Sequence, residues 1–180
     1  MRSQKVWVWA AFGWMVVSFV WHLWMGVDYR RAMGERVGAP VWVFLVYDGV
    51  ITGVSAVGAV VVLATVRPWG GRFPVWVVRL PLWFGVGLLV VRGVLGLVEN
   101  VTTATGLTPR GLLGQAAELA DIGSGAFWTG MTINTYFFIG AVVLVPVAVA
   151  FERGVAAGRV SGSPRRGPGP TVRRCGPGGR

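Results

Sequence analysis

The chain has 180 residues, of which 54% are apolar and only 13% are charged, with ten tryptophans and a mean hydropathy of +0.62. A water-facing domain carries about 25% charged residues, so this composition excludes an ordinary soluble enzyme and points to a chain built for lipid. A single cysteine and a single histidine exclude a disulfide framework and supply too few ligands for a zinc, haem or iron–sulfur centre; no metal or cofactor is expected.

Four apolar runs are long enough to cross a hydrocarbon core of about 30 Å as helices. They are Val6 to Val27, Val41 to Val66, Val75 to Val98 and Ser124 to Phe151, so the expected fold is all-α, an antiparallel bundle of four transmembrane helices. Arg2 and Lys5 precede the first run, but its apolar stretch is longer than that of a signal peptide and no small-x-small cleavage site follows; it reads as a retained anchor. Between the second and third runs, RPWGGRFP places Pro68, Gly70, Gly71 and Pro74 in a tight turn, which predicts an antiparallel hairpin. The other connections, Asp28 to Pro40 and Glu99 to Gly123, are longer and hold most of the acidic residues. Pro109 is expected to start a short interfacial helix with Leu112, Leu113, Ala116, Ala117, Leu119 and Ala120 on it. Residues 1–151 form the membrane domain in this reading, and residues 152–180 a disordered tail whose Gly, Pro and Arg cannot build a core.

Positive charge is retained on the cytoplasmic side during insertion. Arg2, Lys5, Arg67, Arg72, Arg79 and seven tail arginines outnumber Arg30, Arg31, Arg36 and Arg110 on the other side, so both termini are expected in the cytoplasm, with the chain in a plasma membrane. Tryptophan favours the headgroup level, and Trp7, Trp9, Trp69 and Trp76 fall at the inner interface while Trp21, Trp24, Trp42 and Trp128 fall at the outer one. The net charge of +10 is thus largely a topology signal that also draws anionic lipid to the tail. Nucleic acid is disfavoured as a partner, because no aromatic-interleaved binding fold accompanies the arginines. Cys175 is not at a prenylation position and is expected to be an exposed thiol.

Ionisable groups inside a bilayer are costly, so the few present carry the functional argument. They are His22 in WHLWMG, Asp48 in VYDGVITG and Arg92 in VVRGVLG, joined by Asn134 on the fourth span and by Glu99, seven residues after Arg92 and expected on its helix face. All five lie toward the outer side, which predicts an outer-half polar cluster above an inner half of Val, Leu, Ala and Gly. Asp48 is the expected partner of Arg92, with His22 beside Asp48. Either this cluster binds or it is a structural clasp. Gly49 and Gly53, with Gly85, Gly87, Gly93 and Gly96, indicate close helix packing and do not specify an oligomer.

WHLWMG in the first span, LPLWFGVGLLVVRGVLGL in the third and INTYFFIGA in the fourth give the chain a resemblance to a family of small four-helix bacterial membrane proteins of unknown function, common in actinobacteria. The resemblance covers roughly Val6 to Phe151 and implies four spans; it brings no catalytic residues with it. Three functions are open on this reading. The first is a membrane protein that binds or passes a small hydrophobic or anionic ligand, a proton or a lipid group at His22, Asp48, Arg92 and Asn134. The second is an intramembrane enzyme of the proton-transfer isomerase type, with His22 or Glu99 moving the proton and Trp83 or Trp24 stacking on a cationic intermediate. The third is an accessory subunit or anchor.

Overall fold

The computed structural model describes residues 2–28, 40–109, 111 and 121–158. The predicted interfacial helix, Arg30, Arg31, Arg36, Arg110 and the tail with Cys175 lie outside the described residues. Four helices make up the fold: α1 (Arg2–Val27), α2 (Val41–Ala64), α3 (Val75–Ala104) and α4 (Gly125–Ala156). All four are long and apolar enough to cross a membrane; even the 24-residue α2 extends about 36 Å. No strand occurs among the described residues.

The helices alternate in direction. The turn Pro68–Arg72, a 3-10 helix begun by Pro68, joins α2 to α3 at one end, the turn end, where α1 also begins and α4 finishes. The long connections meet at the opposite, loop end. Spans three and four overrun their expected limits. The third continues to Ala104 because Glu99, Asn100 and Thr103 are buried against the bundle, and the fourth continues through Glu152, which bonds Arg79, so the first tail residues belong to the helix.

Lateral order follows from the contacts: α1 packs along α2 and also against α4, and α4 packs along the whole of α3. The order is α2, α1, α4, α3. The predicted hairpin of α2 and α3 exists in connectivity, but these two helices meet mainly over Val75–Leu89, near their turn. The reason lies in the faces: α2 turns Val43, Val46, Val50, Val54, Val57 and Val60 outward and buries Asp48, Ser55 and Val62 against α1.

Burial is stratified along the bundle. The main apolar cluster includes Val8, Ala11 and Met15 on α1, Val62 on α2, Val78, Leu82, Val86 and Leu89 on α3, and Leu144, Val147, Ala148 and Phe151 on α4, mostly in the half nearer the turn, while Phe127 is buried separately at the loop end of α4. Buried polar side chains begin near mid-bundle with Ser18 and Ser55 and continue toward the loop end with Asp48, Glu99, Asn100, Thr103 and Asn134.

One irregularity positions the site. Over Val90–Leu95 the third helix widens into a π-turn, the kind of local insertion that re-aims side chains. Within it Gly93 lies so close to α4 that a Cβ there would overlap the Phe138 backbone nitrogen, so the widened turn is pressed directly onto the neighbouring backbone. Arg92 and Glu99 therefore do not share a face as a regular helix would have them; Arg92 is exposed and Glu99 buried.

Candidate functional site

The predicted site residues are divided between two separate seams. On the α1–α2 seam, His22 Nδ1 lies 2.7 Å from Asp48 Oδ1, with the two side chains 13% and 5% exposed. The two groups share one hydrogen bond between these atoms. Asp48 reaches α1 because Gly26 leaves room: a Cβ there would fall 2.9 Å from Asp48 Oδ2. Thr52 donates to the Asp48 carbonyl at 2.8 Å, an i to i−4 bond that occupies its hydroxyl within α2. One turn deeper the buried hydroxyls of Ser18 and Ser55 meet at 3.0 Å. Beyond them Trp14 stacks on Tyr136 of α4, centroids 4.9 Å apart, and donates through Nε1 to the Tyr136 carbonyl at 3.3 Å.

On the α3–α4 seam, the Arg92 guanidinium donates to Asn134 Oδ1 and lies 5.6 Å from the centroid of the Phe137 ring. Because guanidinium can only donate, the Asn134 oxygen must face it, which turns the Asn134 amide nitrogen to the Asn100 carboxamide, 2.5 Å away. Asn134 is about 14 Å along α4 from Gly125, and Arg92 about 18 Å along α3 from Ala104, so the contact is deep in the helical region. Among the described residues Arg92 meets no carboxylate within 4 Å. The expected Asp48–Arg92 ion pair is therefore replaced by two other contacts. The cause is lateral order: α1 and α4 separate α2 from the loop-end part of α3, and Asp48 faces α1. Glu99 is buried one residue before Asn100, while the side-chain bonds of His22 and Arg92 run to Asp48 and Asn134 instead.

Ser18, Ser55 and Asn100 escape a reading of the sequence. Spacing contains the signal for two of them: Ser18 lies four residues before His22 and Ser55 seven after Asp48, each on the same helix face as its ionisable neighbour. Asn100 is hidden by its position at the expected end of the third span. Trp83, a candidate for stacking on a cationic intermediate beside His22, is engaged in the turn half instead, donating to Glu152 Oε1 at 3.0 Å.

No cluster of three or more metal-ligating side chains occurs among the described residues. Comparison of the chain with protein-family models, curated proteins and solved structures finds no match.

Proposed function

We propose that the chain is a multi-pass protein of a bacterial plasma membrane, with both termini cytoplasmic, that holds the anionic group of a small amphiphile or lipid at Arg92 in the outer half of the bilayer. The observation that carries this reading is the company Arg92 keeps: an exposed guanidinium, deep along α3, supported by a neutral carboxamide and an aromatic ring. Arginine at the centre of a transmembrane helix costs about 3 kcal/mol to insert, and an anionic ligand group offsets that cost where no described acid stands beside it. Guanidinium has five N–H donors, and Asn134 takes one, leaving a fork suited to a phosphate or carboxylate. His22 and Asp48 act in this reading as the clasp of the neighbouring seam. The motifs in the first, third and fourth spans support membership of the small four-helix bacterial family, and the basic tail supports attraction to anionic lipid.

The test uses the full chain in neutral micelles with dodecyl phosphate as probe, following the unfolding midpoint. The probe should raise the midpoint of the native chain and of Asp48→Asn, and should do so far less for Arg92→Gln, with Arg92→Lys recovering part of the effect. An equal shift in Arg92→Gln, or failure of that variant to accumulate in membranes, would make Arg92 a structural residue and defeat the proposal.

A further inference from the structure

At the turn end, the sequence brackets PWGG with Arg67 and Arg72 and sets no acid among them. The turn folds tightly under α2: a Cβ on Gly70 would overlap the Ala64 carbonyl oxygen, so bare backbone is required there. Between this turn and α4 lies a cavity of about 350 Å³, within the range that accommodates small ligands. Thr65, Arg67 and Gly71 form part of its polar wall, and Val75, Val78 and Phe151 its apolar one. Val78 and Phe151 belong to the apolar core, so the cavity leads from the level of the arginines toward the hydrocarbon interior.

Charge at this end is one-sided. The described ionisable side chains here are Lys5, Arg67, Arg72, Arg79, Arg153 and Glu152. The one acid among them is already committed, accepting from Arg79 Nε at 2.8 Å, from a second Arg79 nitrogen at 2.6 Å and from Trp83. Arg67 is held in place over the Trp9 ring at 5.7 Å, so its charge is positioned without being neutralised. We infer that the cavity is a binding site for an anionic phospholipid, with the phosphate toward Arg67 in its wall and toward Arg72, which follows the wall residue Gly71 in the same turn, and the start of an acyl chain against Val75, Val78 and Phe151. A phosphate alone would leave the apolar wall unmatched, and a zwitterionic lipid would bring a cation to a basic rim. This site is independent of Arg92, which lies in the opposite half of the bundle.

Native mass spectrometry of the full chain, released from micelles holding equal amounts of phosphatidylglycerol and phosphatidylcholine, tests the inference. The native chain should retain phosphatidylglycerol in preference. Arg67→Gln with Arg72→Gln should weaken its apparent affinity about thirtyfold, because two guanidinium groups no longer attract the phosphate. Gly71→Leu provides a second route that keeps every charge: Gly71 is part of the cavity wall and a Cβ there meets nothing within 4 Å, so the fold accommodates added bulk at the edge of the site. It should lower retention too, whereas Arg153→Gln and Arg92→Gln should retain the lipid. Equal retention of both lipids, an equal loss in Arg153→Gln, retention unaltered in Gly71→Leu, or displacement of the lipid by inorganic phosphate would each overturn the assignment.

Discussion

The two polar seams of the loop half solve the same problem in different ways. On α1–α2 a carboxylate meets an imidazole inside the protein, and a serine pair continues the contact one turn deeper. On α3–α4 a guanidinium meets carboxamides, which hydrogen-bond without carrying charge. A seam of the first kind pairs an acid with a base inside the protein; in the second kind the guanidinium is hydrogen-bonded, and no carboxylate among the described residues lies within 4 Å of it. The difference teaches that an ionisable residue within such a bundle is read from its partner's charge, not from its own presence.

This contrast can be broken most severely at Gly93. Gly93→Val pushes a side chain into the α4 backbone, and we expect a loss of about 3 kcal/mol or more in a reversible micelle unfolding assay. If Gly93→Val were as stable as the native chain, the π-turn could not be what seats Arg92 against Asn134. A double-mutant cycle with His22→Ala and Asp48→Asn comes next. It should give a coupling of about 1–2 kcal/mol, while the cycle of Asp48→Asn with Arg92→Gln should give none, since those residues sit on different seams. Substantial coupling in the second cycle would merge the two seams into one site. Ser18→Ala should cost about 0.6 kcal/mol, the average for a hydrogen bond between membrane helices, and Ser55→Ala on top of it should add little. The smallest effect belongs to Arg79→Gln at the exposed turn end, where the midpoint should scarcely move despite the good geometry of its bond to Glu152.

Much of this architecture is legible without coordinates. The start of α2 at Val41 and of α3 at Val75 follows from Pro40 and Pro74 immediately before them, and Ser124 caps α4 by accepting from the Phe127 nitrogen at 3.1 Å. The site is legible only in part. His22 beside Asp48 follows from two polar residues at similar height on consecutive helices. Pairing Asp48 with Arg92 fails because opposite charge and equal height say nothing about which helix lies between. The π-turn has no reliable pattern in VVRGVL, since inserting one residue into a helical turn depends on what the neighbouring helix demands at Gly93.

The sequence by itself determined the number of helices, their alternation, and where the long apolar stretches lie along each of them. Those properties add up residue by residue along a segment, because transfer between water and an apolar medium is local. Tertiary structure alone decided the lateral order, the rotation of α3 beyond its π-turn, and hence which carboxylate or carboxamide each charge meets. These are choices among packings of nearly equal apolar content, made by small residues at close approach and by hydrogen-bond geometry between segments far apart in the chain.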